Sequence, residues 1–291
     1  MSDGISKQAA GIHHRRIGDI VVTTLLDGYV DVGPEAFQNV TPGEVESMLG
    51  NVFKPTRPRI TVNAYLVRSR SRVALVETGS SETLGPTLGW MHRNLAEAGI
   101  AHADIDTVLL THMHPDHSNG LTDAAGRRLF DHAELLMHED ERAHWSNDER
   151  MQQAQGRQQL YFETARARLA AYADRIRTFR SGQVFPGITA VPIPGHTPGH
   201  TAYLIESGGE SLMIWGDIVH MPELQLPRPE ISTAMDTDPA GAVATRRSVL
   251  DRVASDRQLV AGMHIGFPGL GHIVRHGTGY HLEPEGWALA V

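Results

Sequence analysis

Three histidines and an aspartate lie within six residues of one another in the segment Thr111-His112-Met113-His114-Pro115-Asp116-His117. In an extended chain the side chains at positions i and i+2 point to the same side, so His112 and His114 can converge on one ion. Asp116 and His117 follow directly, where the chain must turn, and can reach a second ion. A solvated polar loop is the alternative, but polar groups at this density need partners wherever they are buried. The spacing therefore indicates a metal site.

Three further residues of metal-binding type, His196, Asp217 and His264, each follow an apolar segment that is typical of a strand. Loops at the ends of strands are where α/β proteins collect functional groups. Each residue taken singly is more typical of a cap or of the surface, whereas together with the first four they complete a set of seven. Because the chain contains no cysteine, the set offers imidazole and carboxylate ligands only, which suit Zn²⁺ and also Mn²⁺, Co²⁺ or Fe²⁺.

The composition excludes several classes of function. The 291 residues include 26 basic and 34 acidic side chains, for a net charge of −8, so no nucleic acid partner is expected. No apolar segment approaches the roughly 20 residues that span a bilayer. The N-terminal segment MSDGISKQAAGIHHRR lacks the apolar stretch of a signal peptide. We therefore expect a cytoplasmic protein without a membrane partner.

Apolar periodicity predicts strands in both halves of the chain, with helices between them. The first half is predicted to contain a hairpin over Ile20–Val32 that turns at Asp27-Gly28, strands at Ile60–Val67, Val73–Glu77 and Thr107–Thr111, and a helix at Thr83–Ala98. The second half is predicted to contain strands at Ile188–Pro192, Thr201–Glu206, Ser211–Trp215 and Gln258–Met263, and a helix from Pro239, capped by Asp238, to about Ala254. This order favours an α/β fold, an αββα sandwich of two mixed β-sheets flanked by helices, as a single domain over residues 1–291.

A polar segment rich in Arg, Gln, Glu and Ala covers residues 139–179 and is predicted to be helical. Two interpretations of this segment are open. It is a solvated pair of helices, or it is a cap-like insertion over the site, with Trp145, Tyr161 and Phe162 lining a pocket.

The motif His-x-His-x-Asp-His, with all three downstream residues in the expected order, resembles the metallo-β-lactamase superfamily from about Ile60 to the end of the chain. The resemblance implies two sets of ligands, one for each of two metal ions: His112, His114 and His196, and Asp116, His117 and His264. It also implies that Asp217 bridges the two ions, together with a water or hydroxide.

One position departs from the superfamily's pattern. The family usually has Asp-Thr-Gly after its second hairpin, and this chain has Glu77-Thr78-Gly79. In the family that residue supports the metal loop rather than binding metal. The extra methylene of Glu77 therefore changes the geometry behind the ligands and leaves the chemistry unaffected.

Within the superfamily, the C-terminal third resembles methyl parathion hydrolase and its lactonase and aryl esterase relatives, in the segments 215–220, 225–230, 236–239 and 262–272. The resemblance implies a dinuclear metallohydrolase in which a hydroxide between two divalent ions, expected to be zinc, attacks a lactone or aryl ester carbonyl. Asp116 would orient the hydroxide and relay its proton to the leaving group. Organophosphate triesters would be a side activity, and the enzyme would be a homodimer. A primary phosphotriesterase and a mononuclear iron persulfide dioxygenase are the alternatives.

His220, three residues after Asp217, is the position that bears on the substrate. Acyl-homoserine lactonases usually have a tyrosine here that binds the substrate. An imidazole here either supports the site or donates a hydrogen bond to the oxyanion of a flat carbonyl substrate. We expect the donor role, and with it an ester or lactone as the main substrate. Phe267 either lines the leaving-group pocket or belongs to the core.

The remaining histidines receive no chemical role. His200 and His272 are expected to support the site without binding metal. The others are expected to face solvent: His13, His14, His92, His102, His132, His138, His144, His276 and His281.

Overall fold

The computed structural model describes residues 8–291 and confirms the predicted αββα sandwich. The first seven residues, part of the segment in which no signal peptide is predicted, lie outside the described residues. The strands are, in chain order, β1 Ile12–Ile17, β2 Ile20–Asp31, β3 Phe37–Gln38, β4 Arg59–Ser69, β5 Arg72–Val76, β6 Thr107–Leu109, β7 Glu134–His138, β8 Ile176–Phe179, β9 Gly182–Phe185, β10 Ile188–Pro192, β11 Thr201–Ser207, β12 Glu210–Ile214, β13 Ser232–Thr233, β14 Leu259–Ala261, β15 Leu270–His276 and β16 Gly279–Pro284.

The helices lie between these strands and cover the outer faces of the sandwich. They are α1 Pro42–Gly50, α2 Met91–Glu97, α3 Pro115–Ser118, α4 Glu139–Trp145, α5 Asp148–Gln153, α6 Arg157–Ala171, α7 Pro222–Gln225 and α8 Pro239–Ser255. The side chain of Asp238 caps α8 by accepting a hydrogen bond from Gly241 N, as predicted. None of the helices in residues 8–291 is long and apolar enough to cross a bilayer.

Two seven-stranded mixed sheets form the centre of the fold. The first has the order β1-β2-β4-β5-β6-β7-β8, antiparallel as far as β5 and parallel from β5 onwards. The second has the order β16-β15-β14-β12-β11-β10-β9, in which only the β12–β14 pair is parallel. Because β10, β12 and β14 all run in the same direction, the loops that follow them leave the second sheet at one edge.

Apolar side chains fill the space between the sheets and the space under the helices. Val67 and Val76 of the first sheet pack in one cluster with Ile205 and Ile214 of the second. A second cluster joins the outer face of the first sheet to α2, α4 and α6, and a third joins the outer face of the second sheet to α8. These clusters account for the four layers, since each face that the sheets present to a neighbour is apolar.

The hairpin predicted within Ile20–Val32 is wrong. β2 is one strand that continues to Asp31, and the chain instead turns between β1 and β2. Asp27-Gly28 forms a bulge within β2, because the buried Asp27 carboxylate accepts hydrogen bonds from Ser80 N at 2.9 Å, from Met91 N at 3.1 Å and from the Ser80 hydroxyl. The bulge therefore connects β2 to the segment that follows β5.

Two other predicted elements have different bounds, and two strands near the end of the chain were not predicted. The helix predicted at Thr83–Ala98 forms only over α2, since Pro86 cannot continue a helix and Gly85 and Gly89 adopt positive φ angles of 128° and 88°. The segment 139–179 contains three helices and then strand β8, not a helical pair. Two strands, β15 and β16, follow the one predicted to be last.

The loops around the second sheet depend on one buried cation on α8. Arg246 is 1% exposed and donates hydrogen bonds to the carbonyl oxygens of Ile218, Pro229 and Ile231 at 2.6 to 3.0 Å. Removing its guanidinium leaves the buried carbonyl groups of Ile218 and Pro229 without a partner, whereas the Ile231 carbonyl keeps a hydrogen bond from Gln225 Nε2 at 3.1 Å. Arg252, on the same helix, is exposed and forms only an ion pair with Asp256 at 3.7 Å.

We therefore expect Arg246→Met to lower the free energy of unfolding by about 2 kcal/mol or more, because each of the two unsatisfied buried groups costs about 1–3 kcal/mol. Arg252→Met, the matched control, should change it by less than about 1 kcal/mol. Urea denaturation followed by circular dichroism measures both. Equal midpoints for the two variants would contradict a role for Arg246 in holding these loops.

Candidate metal centre

The seven residues predicted as metal ligands come together at one edge of the sandwich. They lie on the four segments that follow β6, β10, β12 and β14, with Asp116 and His117 in the short helix α3. Two groups have ligand atoms within 4.8 Å of one another: His112, His114, His196 and Asp217, and Asp116, His117 and His264. A third such group consists of Asp217, His220 and His264. The two ligand sets that the sequence resemblance implies are thus each brought together in space.

Asp217 lies in the middle of this cluster. Its Oδ2 atom is 3.3 Å from His196 Nε2, 3.1 Å from His264 Nε2 and 3.6 Å from His112 Nε2. Its Oδ1 atom is 3.3 Å from His117 Nε2. One carboxylate therefore contacts histidines of both sets, as a bridging ligand must.

Several polar atoms of the cluster have no hydrogen-bond partner among the described residues. They include His112 Nε2, His117 Nε2 and Asp217 Oδ1, all of them buried. Buried polar atoms are nearly always paired in folded proteins. A divalent cation among these nitrogen and carboxylate atoms would satisfy them, and such a donor set without sulfur suits zinc and its first-row neighbours. The residues present therefore fit a metal centre.

The electrostatics of the cluster separate the imidazoles into two kinds. Burial, together with neighbouring histidines, holds the pKa of His112 and of His114 well below the usual histidine value, so both are neutral and each keeps a lone pair. Burial alone would lower the pKa of His196, but its hydrogen bonds to Asp217 and Asp236 outweigh burial and raise that pKa to about 9. At such a position a metal ion competes with a proton.

Hydrogen bonds from behind orient the histidines of the cluster. His196 Nδ1 is 2.7 Å from Asp236 Oδ1, and Asp236 Oδ2 accepts a further hydrogen bond from Thr233 N at 2.9 Å. His264 Nδ1 donates to the Thr61 carbonyl oxygen at 2.7 Å. These contacts leave the Nε2 atoms of both rings facing Asp217, which is how metal-binding histidines are usually held.

Glu77, the departure from the superfamily's pattern, is fully buried behind His117. Its Oε1 atom accepts a hydrogen bond from Thr111 N at 2.7 Å, and its Oε2 atom is 3.4 Å from His117 Nδ1. Glu77 adopts a positive φ of 68°, which is uncommon for a residue other than glycine. Its contacts are with the backbone and with the back of a ligand, as expected of a residue that supports the metal loop.

Sequence analysis missed a buried carboxylate that joins two of the four segments. Glu141, at the start of α4, accepts hydrogen bonds from Met113 N at 2.9 Å, Thr197 Oγ1 at 2.5 Å and Gly199 N at 3.2 Å, and from the indole of Trp145. It thus ties the loop after β6 to the loop after β10. Its position in a polar, charged segment gave no indication of burial.

His200 supports the centre from the second sheet. Its Nδ1 atom donates to the Ile193 carbonyl oxygen at 3.1 Å, and its Nε2 atom accepts a hydrogen bond from Asp217 N at 2.9 Å. Burial lowers its pKa to about 3, which keeps Nε2 free to accept. His272 lies on β15, paired with Leu259 and Glu283.

A cavity of about 1080 Å³ opens over the cluster. Asp116, Asp217, His220 and His264 line its floor, and α4 to α6 form one wall that includes Trp145, Tyr161 and Phe162. The Tyr161 ring lies 4.8 Å from the ring of His114, between centroids. The helical segment thus lines the site, although its action as a cap stays a prediction.

His220 and Phe267, the two predicted substrate-binding residues, have different positions. His220 is buried, its Nε2 atom lies 3.1 Å from Asp217 Oδ2, and its ring stacks on His264 at 5.2 Å. Phe267 is 38% exposed and is not among the described residues that line the cavity or that form the apolar core clusters.

The prediction that the histidines without a role face solvent is wrong for several of them. His144 lines the cavity, with its ring 5.3 Å from that of Phe162. His138 is buried at the start of α4, and His92 packs against His102 and Phe130. Burial lowers the pKa of His92 and of His144 to about 4, so both are neutral near pH 7.

Comparison with known proteins identifies the chain's relatives. The family model described as the metallo-beta-lactamase superfamily matches residues 57–264. The crystal structure of hydrolase AbOPH, of the beta lactamase superfamily, is 31% identical, with a TM-score of 0.91 over 97% of this chain and 100% of that one. No curated protein matches the sequence significantly.

Two further solved structures share the fold at lower identity. AidC, a dizinc quorum-quenching lactonase in complex with its product N-hexanoyl-L-homoserine, is 24% identical, with a TM-score of 0.90 over 96% of this chain and 99% of that one. A probable metal-dependent hydrolase from Staphylococcus aureus is 22% identical, with a TM-score of 0.76 over 92% of this chain and 99% of that one.

Asp236 provides a test of how the histidines are oriented. We expect Asp236→Ala to weaken zinc binding roughly 10–100-fold, because His196 loses the carboxylate that fixes its ring. A zinc titration against a competing chromophoric chelator measures this change. Asp238→Ala is the control: its side chain caps α8, so it should lower stability by about 1 kcal/mol and leave zinc affinity unchanged. Equal zinc affinity in all three proteins would sink the orienting role.

Proposed function

The chain belongs to the metallo-beta-lactamase superfamily, and from this premise we propose that it is a dinuclear metal-dependent hydrolase of lactones and aryl esters. One observation carries the proposal. Two sets of metal-binding side chains share the Asp217 carboxylate, and both open into a cavity large enough for a small organic substrate. The two-ion arrangement, the metal and the substrate are all parts of this proposal.

The ligands divide between the ions as the resemblance implies. His112, His114 and His196 would hold one ion, Asp116, His117 and His264 the other, and Asp217 would contact both. Zinc is the expected metal, with manganese, cobalt or iron as alternatives. When bound, the ions would supply an activated water and would polarise the oxygen of the scissile bond.

Asp116 is the proposed proton carrier. Its carboxylate lines the cavity, with Oδ2 3.5 Å from both His117 Nε2 and His264 Nε2. Burial alone would raise its pKa, but these two imidazoles outweigh burial and hold the pKa below its usual range. An ionised Asp116 can accept a proton from the attacking water at Oδ2 and pass it to the departing alkoxide or phenoxide.

His220 is the proposed donor to the substrate's carbonyl oxygen. It lines the cavity and is positioned through its backbone N–H, which donates to Gln225 Oε1 at 2.7 Å. Its contact with Asp217 is equally compatible with a role in supporting the cluster. A planar ester or lactone would gain from a donor at this position, whereas a bulky triester needs the space.

A primary phosphotriesterase is the second candidate. It is supported by the volume of the cavity and by the resemblance of the C-terminal third to methyl parathion hydrolase, in whose branch it would place the chain. The mononuclear iron dioxygenase is the minor alternative, and a homodimer remains part of the proposal. An activity screen of metal-loaded protein with dihydrocoumarin, phenyl acetate and methyl paraoxon distinguishes the first two candidates.

Replacement of Asp217 tests the shared carboxylate. Wild-type protein should bind close to two equivalents of metal by elemental analysis. Asp217→Ala should fall below that value and lose ester hydrolysis by at least about a hundredfold, because it removes the side chain between the two sets. Asp256→Ala, exposed after α8, should behave as wild type. One equivalent of iron in the wild type would favour the dioxygenase, and full activity of Asp217→Ala would refute the shared ligand.

Replacement of His220 tests substrate preference. Loss of one donor to a developing oxyanion costs roughly 10²–10³ in rate, so His220→Leu should lower kcat/KM for phenyl acetate and dihydrocoumarin by that factor. The kcat/KM for methyl paraoxon should stay the same or rise, because a bulky triester needs apolar space at this position more than it needs a hydrogen-bond donor. An equal loss on all three substrates would show that His220 supports the cluster instead.

A further inference from the structure

Three arginines lie along the same cavity as the metal centre. Arg57, Arg150 and Arg157 all line it, and each is exposed to solvent. None of the three forms an ion pair with the residues that the structure describes. Arg157 comes from the first turn of α6, and its Nη1 atom lies 3.4 Å from the Sδ atom of Met235, a weak acceptor that also lines the cavity. These guanidinium groups therefore have donors to offer a ligand.

The wall formed by α5 and α6 has its charges segregated. Arg150, Gln153, Arg157 and Gln158 line the cavity, whereas no carboxylate of the helices α4 to α6 does. Three acidic residues of the same segment have partners outside the cavity: Asp148 pairs with Arg166 at 2.8 Å, Glu139 with Arg180 at 2.6 Å, and Glu163 accepts a hydrogen bond from Gln159 at 2.9 Å. The wall thus presents only neutral and cationic donors to the cavity.

Two acidic side chains outside the ligand cluster, Asp31 and Glu35, line the same cavity. The Asp31 carboxylate is held by Arg59 through two hydrogen bonds, of 2.7 and 2.9 Å. Among the described lining residues, Glu35 is the one other acidic side chain that is not a predicted metal ligand. The chain as a whole carries a net charge of −8, so three arginines on one cavity, without an ion-pair partner among the described residues, are a local concentration of positive charge in an acidic protein. Exposed charges act over about 8–10 Å at physiological ionic strength, so these guanidinium groups can act on a ligand inside the cavity.

From this placement we propose that the natural substrate carries an anionic oxygen group at the end remote from the scissile bond, and that Arg150 and Arg157 bind it. The inference rests on the proposed hydrolase function and names its substrate class. The apolar body of such a substrate would lie against Trp145 and Phe162, both cavity residues. A guanidinium binds a carboxylate through two parallel hydrogen bonds, which a single ammonium group cannot do.

The first test compares two esters of the same shape. Mono-4-nitrophenyl adipate ends in a carboxylate, and 4-nitrophenyl 6-methylheptanoate ends in an uncharged isopropyl group. We divide kcat/KM for the adipate ester by kcat/KM for the methylheptanoate ester. We expect this ratio to fall roughly five- to twenty-fold in the double variant Arg150→Gln/Arg157→Gln, as the loss of two exposed charge contacts implies. The wild-type ratio should also fall as sodium chloride is raised.

Arg142→Gln is the matched control. Arg142 lies on α4 in the same segment and is exposed, but it does not line the cavity, so its replacement should leave the ratio unchanged. A ratio that is unchanged in the double variant, or that falls equally in Arg142→Gln, would overturn the proposal.

A binding measurement separates this inference from the proposed function. Ligand-observed NMR on the metal-loaded protein would compare benzenesulfonate with the neutral methyl phenyl sulfone. We expect the double variant to lose affinity for benzenesulfonate alone, and Arg142→Gln to lose neither ligand. If neither ester is hydrolysed, the proposed function fails. A loss of benzenesulfonate affinity in the double variant would still support an anion site in that case. Equal affinities in wild type and double variant overturn the anion site even if both esters are hydrolysed.

Discussion

Asp217 is a buried carboxylate surrounded by imidazoles, and the rest of the site depends on how its charge is balanced. Its two oxygens lie within 3.6 Å of His112, His117, His196, His220 and His264. Removing such an anion from water costs several kcal/mol unless it is paired. Neutral imidazoles such as His112 compensate only in part, since they bring lone pairs rather than charge. Cations at this position would satisfy both the carboxylate and the lone pairs, so metal binding and folding are expected to be coupled.

Buried carboxylates also form the frame behind the ligands. Glu77 binds the start of the loop after β6, Glu141 ties that loop to the one after β10, and Asp236 holds the ring of His196. Burial raises the pKa of Glu77 and of Glu141, which shows that both sites resist a charge. Glu141 and Asp236 are each held by donors from two different segments, whereas Glu77 contacts only the segment after β6. Burying these carboxylates lowers folding stability, but it fixes the loops that carry the ligands, as precise ligand geometry requires.

The difference between the metal ligands and the carboxylates behind them explains which residues of the site could be predicted from the sequence. The ligands His112, His114, Asp116 and His117 are neighbours in the chain, so their spacing alone indicates a metal site. The three distant residues were found because each follows an apolar segment, and only their assignment to two ions depended on the resemblance. Glu141 could not be found in this way, because its partners on the two loops lie 28 to 58 positions away and its own segment is polar. Asp27 was misread for a related reason. Asp-Gly is typical of a turn, but the backbone N–H groups of Ser80 and Met91 hold the Asp27 side chain and keep β2 continuous. The fold class followed from the order of strands and helices, which apolar periodicity indicates, together with the resemblance to the superfamily.

The reaction and the choice of substrate depend on different parts of the chain. All seven predicted ligands lie on segments that follow strands of the two sheets, whereas the side walls of the cavity come largely from α4 to α6 and from the end of β2. The walls can therefore change without altering the ligands, which is why the sequence motif predicts a reaction class but not a substrate. His220 is an exception, since it lines the cavity and also contacts Asp217. Any substitution there acts on substrate and cluster together, so the effects of the arginines on the helical wall are the cleaner guide to what the enzyme binds.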